Sequence, residues 1–422
     1  MHVFFSGIGG TAIGPLAIIA KQAGYEVSGS DKQDSQYVQY LSKFGIDINI
    51  GQDPKNLEMI HKNSPIDWFV YSSALPLENP NHPELLKVNE LGIKNSKRDL
   101  FLSEFINNHN LKLIAFAGTH GKTTSTAMAV WVFKQLNIPV SYSVGAKINF
   151  GNMAEYNPMS EYFVYECDEF DHNFLHFKPY ISVLSKVDWD HQDIYPTRDS
   201  YIRAFKDFCH NSAKIFAHPE EVKYLNISNE TNTNIIGSEF TINLIGKHNR
   251  NNAAGVASAI SYATNTPINK VVSILENYPG SNRRFEKLSD NIYSDYAHTP
   301  EEIESTIQMA KELSKEIAVI YEPLTNMRQY FIKDRYKDIF INLKSLYWVP
   351  SYLARENPNQ RIIEPQEFVA SLADSANAKP ANLNDELKTN IQSLANNGVL
   401  CIVISGGGGG SLDEWARQQF KR

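Results

Sequence analysis

Short apolar runs recur along this chain of 422 residues, and stretches of helical periodicity separate them. Each run has the length of a single buried strand. The predicted strands cover residues 2–5, 113–117, 162–165, 181–187, 317–321, 345–349 and 399–405. Helical patterns lie between them, most clearly at residues 301–313 and 413–420. Strands that alternate with helices predict doubly wound, mostly parallel sheets and therefore an α/β protein.

The alternation of strands and helices begins anew at two points along the chain, which divides the chain into three segments. A single core rarely grows beyond roughly 250–300 residues, so a chain of 422 residues predicts more than one domain. We expect domains at residues 1–107, 108–280 and 281–422. The first and last have a Rossmann-like pattern, and the central domain has a mostly parallel sheet around a nucleotide-binding P-loop.

Charge and cysteine content indicate the cellular compartment and the partners of the protein. Lys and Arg number 40 against 47 Asp and Glu, and a net charge of −7 argues against nucleic acid as a partner. Cys167, Cys209 and Cys401 follow no disulfide or metal spacing, so we expect buried free thiols. No apolar run reaches the roughly 18 residues of a membrane span, and residues 2–5 enter a strand without signal-peptide features. We therefore expect a cytoplasmic protein, a monomer or homodimer, that binds neither nucleic acid nor membrane.

The segment after the predicted strand 113–117 carries the most specific chemistry. It reads Gly118-Thr119-His120-Gly121-Lys122-Thr123-Thr124. The glycines let several N–H groups point into one concavity, and the helix expected from about Thr123 adds its positive N-terminal end. In such a loop the lysine reaches the β- and γ-phosphates of a nucleotide, and the next hydroxyl binds magnesium. Phe116 stands where the general pattern has its first glycine, so the loop is a short variant.

A second glycine-rich turn follows the first predicted strand. Its pattern is Gly7-x-Gly9-Gly10-x-Ala12, and Asp31 lies some two dozen residues further on. This spacing fits the dinucleotide fingerprint, in which a diphosphate lies on a helix N-terminus. Taken alone, the turn indicates an NAD-dependent oxidoreductase, while a UDP-sugar offers the same diphosphate. A purely structural glycine turn is the third interpretation.

Two acidic segments follow strands downstream of the phosphate loop. Residues 166–169 read Glu-Cys-Asp-Glu, and Asp190 precedes His191. Carboxylates at the carboxyl end of a parallel strand are where a magnesium ion that accompanies a nucleotide is held. We predict Glu166 as a metal ligand, and we interpret His191 either as a metal ligand or as a capping residue.

The third segment opens with further polar motifs. Residues 283–285 read Arg-Arg-Phe, residues 295–298 read Asp-Tyr-Ala-His, and both suit closure over a nucleotide. Thr299 and Pro300 predict the cap and first residue of a helix, which explains the second motif structurally. The segment 246–252, Gly-Lys-His-Asn-Arg-Asn-Asn, suits either adenine recognition or a helix start.

In this order, the motifs resemble those of the Mur ligase family, the ATP-dependent amino-acid ligases of peptidoglycan assembly. Residues 118–124 resemble the short phosphate loop of the family, and residues 166–169 resemble its Glu-Ala-Asp-Glu motif with cysteine for alanine. Further blocks match at residues 190–191, 246–252, 283–285 and 295–298. The resemblance covers essentially the whole chain.

The resemblance implies roles for individual residues. The implied ATP site comprises Gly118, Thr119, His120, Gly121, Lys122, Thr123, Thr124, Asn249, Asn252, Arg284 and Asp295. The implied catalytic residues are Lys122, Glu166, His191 and His298. Thr123, Glu166 and His191 would bind Mg²⁺, with two ions expected. The first domain would bind the UDP-sugar through Gly7, Gly9, Gly10, Ser28, Asp31, Ser72 and Ser73, and Arg328 would bind the amino acid.

The implied reaction joins an amine to the carboxylate of UDP-N-acetylmuramate through an acyl-phosphate, in the pathway that builds the cell wall and maintains cell shape. L-alanine is the expected amine. The first domain equally suits the family member that attaches L-Ala-γ-D-Glu-meso-diaminopimelate in cell-wall recycling. Residues 323–328 read Pro-Leu-Thr-Asn-Met-Arg where alanine-adding members have Pro-His-Arg-Tyr-Ser-Arg, so the amine stays open.

Several competing interpretations remain beside this one. An NAD-dependent oxidoreductase needs nicotinamide binding, and a folylpolyglutamate synthetase shares the phosphate loop but does not account for residues 7–31. A non-catalytic protein on the same scaffold would not need both metal positions. Lys206 lies fifteen residues after His191, the spacing of a carbamylated lysine in other family members, and is either that residue or a surface lysine.

Overall fold

A computed structural model describes residues 1–228, 232–237, 241–353, 356–373 and 376–421 of the chain. The described residues form three β-sheets with helices between the strands, which confirms the predicted α/β class. None of their helices combines the length and the apolar character that crossing a bilayer requires.

The chain folds into two compact units. The first consists of Met1–Ile242 and Asn251–Pro279, and the second of Asn243–Arg250 and Gly280–Arg422. The first unit contains two of the sheets and the second contains the third. The division into three domains with boundaries at 107/108 and 280/281 stays a prediction.

The first sheet is fully parallel. Its strands are β1 His2–Ser6, β2 Glu26–Asp31, β3 Asp47–Ile50, β4 Trp68–Tyr71 and β5 Lys94–Lys97. Their order is β3-β2-β1-β4-β5, and the connecting helices are α1 Gly14–Gln22, α2 Gln36–Ser42, α3 Pro54–Asn63, α4 Ala74–Glu78, α5 Pro83–Glu90 and α6 Arg98–Asn108. Strand β1 is buried along its whole length because the apolar core covers both faces of the sheet. This is the Rossmann-like order, with the ligand-binding crevice expected at the carboxyl ends of the strands.

The second sheet has seven strands. They are β6 Lys112–Ala117, β7 Val140–Ser143, β8 Ala154–Glu155, β9 Tyr162–Glu166, β10 Ile181–Leu184, β11 Ile215–Ala217 and β12 Thr233–Ile235. The order is β12-β11-β10-β6-β9-β7-β8, and the pair of β7 and β8 is antiparallel. The helices are α7 Lys122–Gln135, α8 Arg198–His210, α9 Pro219–Leu225, α10 Lys247–Thr264 and α11 Ile268–Leu275, with a 3₁₀ segment at Phe170–His176. Because β6 lies at the centre of the sheet, the predicted phosphate loop leaves from the middle of the carboxyl edge.

The third sheet has six strands. They are β13 Glu286–Ser289, β14 Ile292–Asp295, β15 Ile317–Glu322, β16 Ser345–Trp348, β17 Ala378–Pro380 and β18 Leu400–Ser405, in the order β13-β14-β18-β15-β16-β17. Only β13 pairs antiparallel among these described strands. The helices are α12 Pro300–Leu313, α13 Asn326–Ile332, α14 Pro365–Ser371, α15 Asp385–Asn396 and α16 Leu412–Phe420, with a 3₁₀ turn at Lys333–Tyr336.

Most local predictions agree with this structure. The apolar runs form strands, Thr299 caps α12 by accepting from the Glu302 N–H, and the three cysteines are buried thiols. The run 181–187 is an exception, since its strand ends at Leu184. After Leu184 the backbone turns toward the phosphate loop. The Ser185 N–H donates to the Ala117 carbonyl, and the Lys186 carbonyl accepts hydrogen bonds from N–H groups of the phosphate loop.

Candidate functional site

The turn between β6 and α7 is held open by two glycines. Gly121 caps α7 with a φ of 88°, a left-handed conformation that favours glycine. A Cβ there would lie 2.6 Å from Asn252 Oδ1, and a Cβ on Gly118 would lie 2.3 Å from Ser185 Oγ. Other residues would clash at both positions. The loop therefore packs closely against Asn252, one of the residues predicted for the ATP site.

The rest of the loop is anchored to the strand end beside it. The N–H groups of Thr119 and His120 donate to the Lys186 carbonyl at 2.8 and 3.2 Å. The Thr119 hydroxyl donates to the Asp188 carbonyl at 2.6 Å and contacts the Tyr201 hydroxyl at 2.7 Å. Thr119 and His120 thus shape the loop through bonds within the protein.

Lys122 lies at the first position of α7 and points back over the loop. Its Nζ donates to the Gly118 carbonyl at 2.7 Å and to Glu169 Oε2 at 2.7 Å. Burial works against the charge of the amine, but the Glu169 carboxylate outweighs it and raises the pKa of Lys122. The amine is therefore a fixed positive charge at the mouth of the loop, where a phosphate group would meet it.

Thr123 and Glu166 meet as the sequence predicted for a shared metal. Thr123 Oγ1 donates to Glu166 Oε2 at 2.7 Å. Thr123 is on the first turn of α7, and Glu166 is the last residue of β9, the strand next to β6. Thr124 follows on the same helical turn and is half-buried.

The acidic cluster extends beyond the predicted ligands. One oxygen each of Asp168 and Glu169 and one ring nitrogen of His191 lie within 4.8 Å of one another. Glu169 is buried, and Tyr201 donates to its Oε1 at 3.4 Å. Asp168 and Glu169 belong to the acidic motif 166–169, but only Glu166 of that motif was predicted as a metal ligand, together with His191 of the next acidic segment. The buried position of Glu169 next to Lys122 was not readable from spacing alone.

These donors suit a magnesium ion. Carboxylate and hydroxyl oxygens predominate among the side chains of Thr123, Glu166, Asp168 and Glu169, and they are the ligands that magnesium prefers. His191 has a φ of 55°, and its backbone N–H donates to Asp190 at 2.8 Å. That left-handed turn directs its ring toward Glu169, with 3.7 Å between Nε2 and Oε1.

The glycine turn after β1 is tied to β2. The N–H groups of Gly7 and Ile8 donate to the Ser30 carbonyl at 2.9 and 3.0 Å. The Gly9 N–H donates to Asp31 Oδ2 at 2.8 Å. Gly10 closes the turn by donating to the Gly7 carbonyl at 3.0 Å. Asp31 therefore supports the turn itself, in addition to the predicted contact with the UDP-sugar.

The three predicted serines of the first sheet lie in different places. The hydroxyl of Ser28 contacts His2 Nε2 at 2.7 Å and lies before the end of β2, so it is away from the glycine turn. Ser72 Oγ lies 3.4 Å from a Cβ position at Gly7. The Ser73 hydroxyl is buried and has no hydrogen-bond partner among the described residues. The geometry thus favours Ser72 and Ser73 for ligand binding, and the role of Ser28 stays an untested prediction.

A buried carboxyl beneath this turn was missed by the sequence analysis. Glu84 on α5 accepts from Ser6 at 2.5 Å and from Ser30 at 3.0 Å, while Gln52 Nε2 donates to Ser6 at 3.0 Å. Burial raises the pKa of Glu84, and the two serine donors oppose that rise. This network joins the ends of β1, β2 and β3. Its members are far apart in sequence, so no local signal could have revealed them.

In the second unit, Asp295 is held by its own neighbours. Its oxygens accept from the N–H of Phe285 at 2.7 Å, the N–H of Ala297 at 2.9 Å and the hydroxyl of Thr306 at 3.0 Å. The Arg284 guanidinium lies 5.2 Å from the ring centre of Tyr296. Asp295 therefore orders the turns that carry Arg284 and His298, and its direct contact with ATP stays a prediction.

His298 and Arg328 share one region of the second unit. His298 Nδ1 lies 3.1 Å from Glu302 Oε2, and burial lowers the pKa of His298, with Glu302 opposing and Arg328 adding to the shift. A Cβ at Gly406 would lie 3.0 Å from His298 Cβ and 3.1 Å from Leu324 Cδ2. The backbone at Gly406 thus passes close to His298 and Leu324. The arrangement brings a neutral imidazole near an arginine.

Other predicted residues are distributed over the two units. Asn249 belongs to the second unit, where its Nδ2 donates to the Ile245 carbonyl at 3.0 Å, and Asn252 belongs to the first. Lys206 lies half-buried on α8 and has no hydrogen bond or ion pair within the described ranges. Its carbamylation stays a prediction.

A phosphate-binding turn at the centre of a parallel sheet, with a lysine and an acidic cluster beside it, defines a nucleotide-dependent enzyme. Residues 2–110 match the Mur ligase family, catalytic domain, and residues 116–236 match the Mur ligase middle domain. The UDP-N-acetylmuramate–L-alanine ligase of Clostridium tetani is 31% identical over 395 residues, covering 84% of each chain. This chain therefore belongs to the Mur ligase family, as its motifs predicted, and is an ATP-dependent ligase.

Two further comparisons extend over nearly the whole chain. The UDP-N-acetylmuramate–L-alanine ligase of Clostridium novyi is 29% identical over 447 residues, covering 96% of this chain and 94% of that protein. The crystal structure of UDP-N-acetylmuramate-alanine ligase from Thermotoga maritima matches 99% of this chain and 98% of its own, with a TM-score of 0.77 and 22% identity. The latter likeness is one of fold.

Proposed function

We propose that this protein joins L-alanine to the carboxylate of UDP-N-acetylmuramate in peptidoglycan biosynthesis, converting ATP to ADP and phosphate. One observation carries the proposal: Lys122, paired with Glu169, and Thr123, paired with Glu166, both at 2.7 Å, lie at the mouth of a phosphate loop. The relatives named for this reaction match along 96% and 84% of the chain, which supports the choice of substrates.

In the first step, a carboxylate oxygen of the sugar attacks the γ-phosphorus of ATP. The bond from that phosphorus to the bridging oxygen breaks, ADP leaves and an acyl-phosphate remains. Lys122 would exchange part of its contact with Glu169 for the phosphoryl oxygens, whose charge it stabilises as the bond to ADP breaks. The backbone N–H groups of the loop and the start of α7 add further positive potential.

Thr123, Glu166, Asp168, Glu169 and His191 would hold Mg²⁺ at this edge. The metal supplies charge neutralisation on the phosphoryl oxygens, which is the usual role of magnesium in phosphoryl transfer. We propose one ion on Thr123 and Glu166 and a second near His191. Tyr201 and Tyr195 keep Glu169 in place, since they donate to its carboxylate at 3.4 Å and to its backbone carbonyl at 2.5 Å.

The UDP moiety would bind at the glycine turn of the first sheet. The carboxyl ends of β1, β2 and β4 meet there, and the positive N-terminal end of α1, which follows the turn, suits a diphosphate. Ser72 and Ser73 would donate hydroxyl hydrogen bonds from the end of β4. Asp31 and the Glu84 network hold the turn in shape.

In the second step, the amine nitrogen attacks the acyl carbon, inorganic phosphate leaves and a proton is released, so that an amide forms. We propose that Arg328 binds the carboxylate of the amino acid. His298, whose pKa is lowered by burial, is neutral at pH 7 and is able to accept a proton.

The test is phosphate release from ATP with magnesium and UDP-N-acetylmuramate, with one amine added at a time. L-alanine, L-serine, glycine and L-Ala-γ-D-Glu-meso-diaminopimelate form the series. We expect release with L-alanine only. Release with the tripeptide only would instead assign the protein to cell-wall recycling, an alternative left open because residues 323–328 depart from the sequence of the alanine-adding members.

A further inference from the structure

The segment 243–250, which includes the first residues of α10, is held by a helix of its own unit. Residues 243–250 belong to the second unit, although most of α10 belongs to the first. Glu312, near the end of α12, accepts from the Gly246 N–H at 2.9 Å and from both terminal nitrogens of Arg250 at 2.9 and 3.0 Å. One carboxylate thus binds the start and the end of a five-residue stretch.

Neighbouring contacts make the attachment specific. Gln308 accepts from the Lys247 N–H at 3.2 Å, and Arg250 Nη1 also donates to the Leu244 carbonyl at 2.7 Å. Gly246 has a φ of 88°, and a Cβ there would lie 2.4 Å from Met309 Cγ. Only glycine lets the backbone approach α12 this closely.

The stretch between these anchors carries Asn249. Its Nδ2 donates to the Ile245 carbonyl at 3.0 Å and lies 3.8 Å from Met309 Sδ, so the amide has one orientation. Within the described part of the chain, Asn249 Oδ1 accepts no hydrogen bond. An acceptor held in this way suits the exocyclic amine of an adenine base.

We propose that Glu312 is a positioning residue for the adenine nucleotide, because it fixes residues 246–250 on α12 and thereby presents Asn249. The inference rests on the proposed function and on the predicted place of Asn249 in the ATP site. Glu312 itself does not touch the nucleotide. Its bidentate pairing with Arg250 is the geometry that resists rotation best among ion pairs.

The experiment measures nucleotide binding and turnover separately in the full chain. Binding of a fluorescent ATP analogue, the methylanthraniloyl ester, is titrated, and KM for ATP, KM for UDP-N-acetylmuramate and kcat are determined. Glu312→Gln should weaken analogue binding and raise KM for ATP about tenfold, as expected when a charge-assisted pair is lost. KM for the sugar nucleotide and kcat should stay within about twofold.

The control is Glu316→Gln, which removes a carboxylate paired with Lys344 at 2.8 Å in the same unit. It should behave as the wild type. Arg250→Gln should reproduce the effect of Glu312→Gln, and the double variant should be no worse than either single one, because both remove the same link.

The outcomes are separable. Unchanged analogue binding in Glu312→Gln would overturn the inference and leave the proposed function intact. Equal losses in kcat and in both KM values, with a lowered melting temperature, would also overturn it, since that is the signature of a merely structural residue. A wild type that neither binds the analogue nor releases phosphate would refute the proposed function and the inference together.

Discussion

At the scale of single residues, the site depends on a few charges that are buried in pairs. Lys122 and Glu169 are the clearest case, since the carboxylate is 1% exposed and the amine 17% exposed. Removing one member leaves the other charge buried without its partner, which is costly. Stability and catalysis are thus coupled at this pair, and an experiment has to separate them.

Lys122→Ala should reduce kcat about a thousandfold, because it removes the positive charge of Lys122 that stabilises the transferring phosphoryl group. It should also lower the free energy of unfolding by about 3 kcal/mol, because Glu169 stays buried and unpaired. Adding Glu169→Gln should restore part of the stability but none of the activity. Steady-state kinetics and urea unfolding measure the two effects, with Lys134→Ala on the same helix as the control. Wild-type-like turnover in Lys122→Ala would contradict the phosphate-loop assignment.

His248 gives a pH dependence to the second unit. Burial, together with the charges of Arg284 and Arg250 and against those of Glu312 and Glu302, lowers the pKa of His248 to about 4. Between about pH 6.5 and pH 4 the unfolded chain therefore binds a proton that the folded chain does not. Unfolding free energy should fall as the pH falls through this window, by at most about 1.4 kcal/mol per pH unit.

The measurement is urea unfolding at several pH values between 4 and 7.5. His248→Gln should show a flatter dependence on pH than the wild type. His210→Gln, a substitution at an exposed site at the end of α8, is the control. If the unfolding free energy of wild type and His248→Gln depended on pH with the same slope, the lowered pKa of His248 would be contradicted.

At the scale of elements, the phosphate loop depends on how β6, α7 and the start of α10 come together. Gly121 has a φ of 88° and Asn252 packs against it, whereas Gly92 has a φ of 65° and no neighbour within 4 Å of a Cβ position. The two glycines therefore share the strained backbone but differ in surroundings. That contrast separates the cost of a left-handed alanine from the cost of a displaced loop.

Gly121→Ala should lower kcat/KM for ATP about a hundredfold, because a shift of the loop by about 1 Å misplaces the phosphates. Gly92→Ala should lower the free energy of unfolding by about 1 kcal/mol and leave kcat/KM unchanged. Kinetics and denaturant unfolding of both variants provide the comparison. A similar loss of activity in both would mean that strain alone, and not the packing of Asn252, explains the effect.

At the scale of the whole molecule, the two turns that are predicted to bind nucleotides lie on different sheets of the first unit. The glycine turn follows β1 and the phosphate loop follows β6. Separate sheets allow a UDP-sugar and ATP to be bound at the same time, as a two-substrate ligase requires. An NAD-dependent oxidoreductase would need one of these turns only.

UDP and a non-hydrolysable ATP analogue should therefore stabilise the protein additively. Each ligand at a concentration of a hundred times its Kd should add about 2.7 kcal/mol to the unfolding free energy. Lys122→Ala should lose the response to the ATP analogue and keep the response to UDP. Thermal or urea unfolding with each ligand and with both provides the test, and competition between the ligands would argue for a single shared site.

The sequence by itself determined the local elements and the motifs that depend on them. The run before Gly118 and the cap at Thr299 are set by interactions within a few residues, so their structure followed from residue type and spacing. The spacing of glycines, lysine and threonines up to Thr124 was enough to identify the loop, although distant residues hold its shape. The order of these motifs was also enough to indicate the family. Thr123 and Glu166 could be paired because the phosphate loop and Glu166 both follow strands of one mostly parallel sheet, which the strand pattern implied.

Only the tertiary structure decided which distant side chains meet. Glu84 beneath the glycine turn, Glu169 against Lys122 and Glu312 on Arg250 join residues that are 47 to 78 positions apart. The same holds for Ser28, whose hydroxyl meets His2 and not the glycine turn. Their partners depend on strand order and helix packing, which a single sequence does not encode locally. Motif spacing therefore predicted the chemistry of the site, while packing determined the residues that hold it in place.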